Sequence, residues 1–519
     1  MNNRPIDIIK ISLAICSGFL LTASFPKLGH GIFAWIALVP LMISLSNLSL
    51  FNGFRIGFLA GLVHYVTLLY WFVPFLKTYG PFSIYLSIAI LLILCAYIAL
   101  YLAFFSTIFI WLSTSAISCF FLSSVIWVSL EYIRSFLFTG FPWELLGYSQ
   151  FSALHIIQIS DILGVFGVSF IIVIFNTTLF LWFLFFSKRR WQGQNISRHH
   201  IQLISAAFFI ILAMVWGYGT RQIHSMEKAI AGSTEKRIAV VQGNIDQTLK
   251  WDSTHQRSTV TKYLDLSLTQ RTEFPDLIVW PETAMPFYLF HHVPLTGLVT
   301  RGIQDAETDF IVSSPFFTQR ENRVRYFNRA FLILSDGTVS DTYDKAHLVP
   351  FGEYVPLKKW LPFLGKMVEQ IGDFSSGKVG DTLEWQEHRI GMLICYELIF
   401  PYLSRAAVQN GAKILINITN DAWYGYSSAP YQHFSMAVFR AIENRRSLVR
   451  SANTGISGFI DPIGRILAET PIFKETSLTA GVPLLSVSTL YTRWGDFFAR
   501  GCLVMLVIVI ARRCLRQKN

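Results

Sequence analysis

Long apolar runs without a formal charge, separated by short polar breaks, fill the first 218 residues and then stop. A helix crosses a bilayer core with roughly 20 mainly apolar residues, because lipid offers backbone groups no partner. Residues 11–26, 32–50 and 56–76 are the first candidates. Residues 78–130 follow, 53 positions without a charge, long enough for two spans turning near Ser113-Thr114-Ser115. Residues 162–187 and 201–218 complete seven, and 497–511, interrupted by Arg500, makes an eighth. The first run is expected to stay as an uncleaved helix, since further spans follow it.

Between these blocks the period changes. Residues 237–241, 277–280, 310–312, 390–394 and 414–416 are short apolar runs bounded by polar or turn residues, the pattern of buried strands. Residues 326–334, ending in Ser335-Asp336-Gly337, predict a strand entering a hairpin, and 432–447 carries a helical pattern. The expectation is an α/β domain of layered sheets. The chain therefore divides into 1–218, spans one to seven; 219–496, the mixed domain; and 497–519, the last span and a basic tail.

Charge adds orientation. The net +11 could suggest a nucleic-acid partner, but residues 218–497 carry 28 basic and 28 acidic side chains, so the excess sits on the apolar ends. No nucleic acid is implied. With the N-terminus inside, Arg4, Lys10, Arg55, Lys188, Arg189, Arg190, Arg198, Arg512, Arg513, Arg516 and Lys518 fall on the cytoplasmic side, and only Lys27, Lys77, Arg134 and Arg500 fall outside. Seven crossings then put 219–496 outside the cytoplasm, away from ATP and acyl-CoA.

Within that domain Cys395 is the lone cysteine, directly after a strand pattern, where α/β active sites gather. Glu282 follows another strand in Trp280-Pro281-Glu282, with Pro281 ending the ladder. Lys345 lies in the turn Tyr343-Asp344-Lys345. A base, a cation and a thiol form the set that covalent acyl transfer needs: Glu282 as general base, Lys345 stabilising the oxyanion, Cys395 as nucleophile.

These three strings resemble the Glu-Lys-Cys triad of the nitrilase, or carbon–nitrogen hydrolase, superfamily. With seven spans before and one after, the whole pattern resembles the bacterial apolipoprotein N-acyltransferases. Val241-Gln242-Gly243-Asn244-Ile245, Pro350-Phe351-Gly352-Glu353-Tyr354, Asn420-Asp421-Ala422-Trp423, Gln432-His433 and Gly140-Phe141-Pro142-Trp143 add to it. The resemblance implies a polytopic membrane bundle of about eight helices carrying a nitrilase-like αββα sandwich. It implies transfer of an acyl chain from a phospholipid to the N-terminal amine of a diacylglyceryl-cysteine apolipoprotein, by ping-pong through a cysteine thioester. It implies no metal or other cofactor, a monomer, and a bacterial inner-membrane location with the catalytic domain on the periplasmic side. It adds Trp251, Glu353, Tyr396 and Glu397 as supporting residues. Glu353 either orients Lys345 or holds Glu282 in its productive charge state; Trp251 either packs on an acyl chain or shapes the pocket; Tyr396 and Glu397 support the nucleophile beside them.

Both substrates are lipids, so the site must open toward the bilayer. Residues 356–367, with Trp360, Leu361, Phe363 and Leu364 among three lysines, are the expected membrane-facing arm, and 284–290 a second candidate. His199-His200 and His291-His292 lack ligand spacing. The rival reading is a membrane-tethered amidase with water as second nucleophile. A transporter is disfavoured by the few charges within the spans.

Overall fold

The computed structural model describes residues 6–27, 29–80, 82–320, 323–355 and 373–518, and the chain forms two compact units. The first comprises Met1–His224, Tyr426–Ser435 and Trp494–Asn519; the second comprises Ser225–Gly425 and Met436–Arg493. Residues 426–435, assigned by pattern to the mixed domain, thus belong to the helical unit. Gln432 explains why. Its amide oxygen accepts from the indoles of Trp71 (3.3 Å) and Trp143 (3.0 Å), and its nitrogen donates to the carbonyls of Pro26 (3.2 Å) and Leu68 (3.4 Å).

The helical unit is the polytopic bundle of a membrane protein. Ile84–Leu112 and Ala116–Arg134 are separated at residues 113–115, where the long uncharged run was expected to turn. Val165–Phe186 and Arg198–Ala231 follow, the latter running 13 residues past the expected end at 218. Among the described residues four helices are long and apolar enough to cross a membrane, or five counting Leu50–Leu68 with Phe72–Tyr79, which are bent by 52°. Pro74 accounts for the bend: it lacks the N–H a continuous helix needs, and its ring crowds the carbonyl four residues back. Residues 32–50 are not one long helix either. They form a 3-10 turn, Gly31–Trp35, and a short helix, Val39–Ser44. Irregular backbone survives in such a bundle only where its polar groups are satisfied. Asn176 does this, accepting from Leu38 N (2.8 Å) and donating to the carbonyl of Ala34 (2.9 Å). Glu131, Arg134, Glu144 and Asp161 are among the ionisable side chains buried in this unit; Glu131 accepts from Leu146 N at 2.7 Å.

Small residues set the spacing of three helices. A Cβ on Gly18 would lie 2.7 Å from Ala60 O, on Gly57 2.5 Å from Leu102 O, and on Gly61 2.9 Å from Ala99 Cα. Backbones therefore pack directly on one another, the usual source of helix association where lipid removes the hydrophobic drive.

The second unit is a four-layer αββα sandwich. One sheet contains β1 (Thr234–Gln242), β2 (Leu277–Val279), β3 (Asp309–Arg320), β4 (Arg323–Ile333), β5 (Val339–Asp344) and β12 (Thr476–Leu484), in the order β12-β1-β2-β3-β4-β5. The other contains β6 (Thr382–Trp385), β7 (His388–Ile394), β8 (Ala412–Thr419), β9 (Ser447–Ala452), β10 (Gly458–Ile460) and β11 (Ile466–Glu469), in the order β11-β10-β9-β8-β7-β6. Three parallel strands form the centre of each, β1-β2-β3 and β7-β8-β9, flanked by antiparallel neighbours.

Strand periodicity builds both faces. Ile238 and Val240 join Leu277, Val279, Ile390, Met392, Ile414 and Ile416 between the sheets. Ala239 and Val241 point the other way, against Val260, Tyr263 and Ile303 of the helices Ser253–Thr269 and Val293–Ala306. On the second sheet Gly391 admits Ala407 of the helix Pro401–Gln409, since an added Cβ would lie 2.9 Å from the Ala407 Cβ. The expected helix 432–447 runs Ala429–Asn444, and Ser447 already begins β9.

Gly57→Ala should lower the thermal midpoint of the detergent-solubilised protein, reflecting a cost of about 1–3 kcal/mol for forced backbone displacement. Gly217→Ala, whose Cβ would meet nothing within 4 Å, should leave it unchanged. Equal midpoints would contradict the packing account.

Candidate active site

Each member of the expected triad stands just past a strand. Glu282 follows β2, Lys345 follows β5 and Cys395 follows β7. Cys395 opens a 3-10 turn, Cys395–Ile399, and its φ is +53°. A side-chain-bearing residue there costs about 1–3 kcal/mol and persists only where the surroundings impose it. Here the imposing group is Glu397, which is fully buried.

One Glu397 oxygen, Oε2, accepts from Ile394 N at 2.6 Å, immediately before the nucleophile. Its other oxygen, Oε1, accepts from Ala346 N (2.6 Å) and His347 N (2.9 Å), immediately after Lys345. The hydroxyl of Tyr343 donates to both, at 3.1 Å. One carboxylate thus fastens the cysteine turn to the lysine turn. Burial pushes its carboxyl up to about 7, while the N–H groups of Ile394, His347 and Ala346 and the charge of Lys345 act in the opposite direction.

The charged centre is compact. Lys345 Nζ lies 3.4 Å from Glu282 Oε1 and 2.8 Å from Glu353 Oε1. Burial works against the lysine charge, but Glu353 and Glu282 outweigh it and hold the ammonium above its ordinary range. Lys345 is therefore a fixed cation. Of the two alternatives for Glu353, orienting Lys345 is what the contact supports; its second oxygen accepts from Val349 N at 2.9 Å. Glu282 Oε2 accepts from Asn420 N at 3.1 Å.

Cys395 is 7% exposed, and burial together with the charge of Glu282 pushes its thiol up to about 12, against the opposing charge of Lys345. Such a group is a thiol at neutral pH. It needs a base during attack rather than a pre-formed thiolate. Of the two carboxylates whose charge reaches it, Glu282 acts more strongly and Asp421, already paired with Arg450, less.

The remaining expected residues fall in different settings. Tyr396 is buried against Phe400 and His347, with ring centroids 5.1 and 6.0 Å away. Trp251 is 53% exposed, free to meet a ligand rather than filling the core. Trp360, Leu361, Phe363 and Leu364 lie outside the described residues. In the second arm candidate only Tyr288 and Phe290 are exposed, while Ala284, Met285, Phe287 and Leu289 pack into the sheet–helix core. The reason is that Met285 N still bonds Ser313 O at 3.1 Å, which holds this stretch against β3. Among the described residues no cluster of three His, Cys, Asp or Glu side chains is placed to hold a metal.

Two site residues escaped the sequence reading. Asn328 on β4 donates its amide to Glu282 Oε1 (2.8 Å) and Glu353 Oε1 (3.1 Å), separating two carboxylates that would repel. A signal was present: Asn328 shares the inward parity of Ala330 and Leu332, so its amide is the polar break on a buried face. Lys250, beside Trp251, is buried and donates to the Glu282 carbonyl at 3.2 Å.

Glu397→Gln sets an amide N–H against Ile394 N–H and should lower stability by about 1–3 kcal/mol. It should also slow the first covalent step at Cys395 by at least about tenfold, each tenfold being 1.36 kcal/mol of barrier. Thermal melts and single-turnover labelling measure the two effects; an unslowed variant would refute the tether.

Residues 17–178 match the family model for the apolipoprotein N-acyltransferase N-terminal domain, and residues 237–491 match that for carbon-nitrogen hydrolases. The apolipoprotein N-acyltransferase of Geobacter metallireducens is 43% identical over 98% of this chain and 95% of its own length. That of Chlorobaculum tepidum is 30% identical over 98% and 97%. Among solved structures, an amidase from Nesterenkonia sp. is 20% identical, covering 52% of this chain and 97% of its own, with a TM-score of 0.37. Two domain matches in the right order and end-to-end identity lead to one conclusion: this chain belongs to the apolipoprotein N-acyltransferase family.

Proposed function

We propose that the protein transfers an acyl chain from a membrane phospholipid to the N-terminal amine of a diacylglyceryl-cysteine apolipoprotein, through a thioester on Cys395. The observation that carries the reading is a buried, protonated thiol at a strained strand end, electrostatically coupled to a carboxylate and an ammonium that lie 3.4 Å apart. The family relationship supplies the acceptor class.

In the first half-reaction Sγ attacks the ester carbonyl as Glu282 takes the thiol proton. The carbonyl oxygen becomes an oxyanion beside the Lys345 ammonium, which is already in place and needs no reorganisation. Collapse breaks the C–O bond, and Glu282 returns the proton to the leaving lysophospholipid. In the second half-reaction the acceptor amine, losing a proton to Glu282, attacks the thioester carbonyl. The C–S bond breaks, the sulfur recovers the proton and an amide remains. Thioesters hold enough transfer potential for this step, so no nucleotide is required.

The basic clusters 188–190 and 512–518 favour placing the chain ends inside and residues 219–496 on the outer face of a bacterial inner membrane. Both lipid substrates reside there. A monomer suffices, since all three reacting groups come from one chain.

Purified protein incubated with acyl-labelled phospholipid should acquire a hydroxylamine-labile label, absent in Cys395→Ser. Adding a diacylated lipopeptide should move the label to the peptide amine. Label appearing only as free fatty acid would instead identify a hydrolase.

A further inference from the structure

Lys250 presents an energetic problem that the triad does not explain. Its side chain is 1% exposed, yet among the described residues its only hydrogen bond is to a neutral group, the Glu282 carbonyl at 3.2 Å. Neither Glu282 nor Glu353 lies within ion-pair distance of its Nζ; both pair with Lys345. A buried ammonium without a carboxylate partner costs several kcal/mol, and such a group is retained only where its charge is used.

Its surroundings indicate the use. The loop after β1 is fastened to the site at three points. Asn453 bonds both backbone groups of Ile245 at 2.9 Å, Gln247 Oε1 accepts from Asn420 Nδ2 at 2.6 Å, and Lys250 grips Glu282. Asn420 in turn donates its N–H to Glu282 Oε2. The titratable groups facing Lys250 are Glu282 and Cys395, with Lys345 and Glu353 one contact further on. Glu282 and Glu353 both press on the single ammonium of Lys345, and Lys250 adds a second positive charge beside Glu282.

Resting on the assignment of Glu282 as the base, we propose that Lys250 is a second cation of the active site, a positioning residue. It clamps the backbone of Glu282 and supplies a positive charge beside the carboxylate that takes the thiol proton. Burial pulls the Lys250 ammonium down to about 8, against the attraction of Glu282 and Cys395, so its charge is present at neutral pH and lost above it. Lys345 stays charged and Cys395 is a thiol to about 12, while Glu397, at about 7, gains its charge as pH rises and so does not produce a fall above pH 8.

The test is the pH profile of thioester formation, read as label on the detergent-purified full chain after mixing with acyl-labelled phosphatidylethanolamine. Wild-type rates should fall as pH rises through about 8. Lys250→Arg, which retains its charge, should abolish that fall. Lys250→Met should slow the step about tenfold at pH 7 and move the acidic limb up by about one pH unit, because a carboxylate deprived of a nearby cation holds its proton more tightly. An acidic limb that stays put in Lys250→Met overturns the proposal whatever the rate, since a purely structural loss lowers the profile without moving it. A fall above pH 8 in Lys250→Arg like that of wild type also overturns it, and this arm decides the matter if the Met variant does not fold. Label on Cys395→Ala would refute the thioester reading, and with it the base role of Glu282 on which this proposal rests.

Discussion

The active site depends on a buried carboxylate that does no chemistry. Glu397 accepts backbone N–H groups on both sides of the gap between the cysteine and lysine turns, using one oxygen for each. Sheet packing brings β5 and β7 near one another; only a shared acceptor fixes their ends to the few tenths of an ångström that acyl transfer requires. The same bonds hold Cys395 at positive φ. Strain at the nucleophile and order at the cation thus come from one source.

Charge is balanced with similar economy. Glu282, Lys345 and Lys250 are buried and Glu353 nearly so, and Asn328 separates the Glu282 and Glu353 carboxylates. Low local dielectric strengthens every interaction among them and penalises any that is removed. The protonated thiol follows from this arrangement. A site holding Cys395 as a permanent thiolate would need more positive charge, and would meet an electrophile without control over when the proton leaves.

Much of this was legible in the sequence because it depends on period and punctuation. Strand ends at Glu282 and Cys395 are marked by apolar runs that stop at a polar residue, and the break at residues 113–115 by three small polar side chains. What escaped depends on tertiary contact. The break at residues 31–44 is tolerated because Asn176, more than a hundred residues away, satisfies its backbone. Residues 426–435 belong to the helical unit because Gln432 meets two indoles there. Lys250 gives no sign in the sequence, since nothing local shows that the ammonium is buried and the neighbouring indole exposed. The short strands β10 and β11 carry too few residues for a periodic signal.

The central claim is that Glu282, Lys345 and Cys395 act as one unit. A double-mutant cycle on the single-turnover rate of thioester formation tests it, comparing Glu282→Gln, Lys345→Met and the combined variant. Groups that serve one transition state together are grossly non-additive. The double variant should therefore be no slower than the worse single one. Losses that multiply would mean two independent contributions, and would contradict the account.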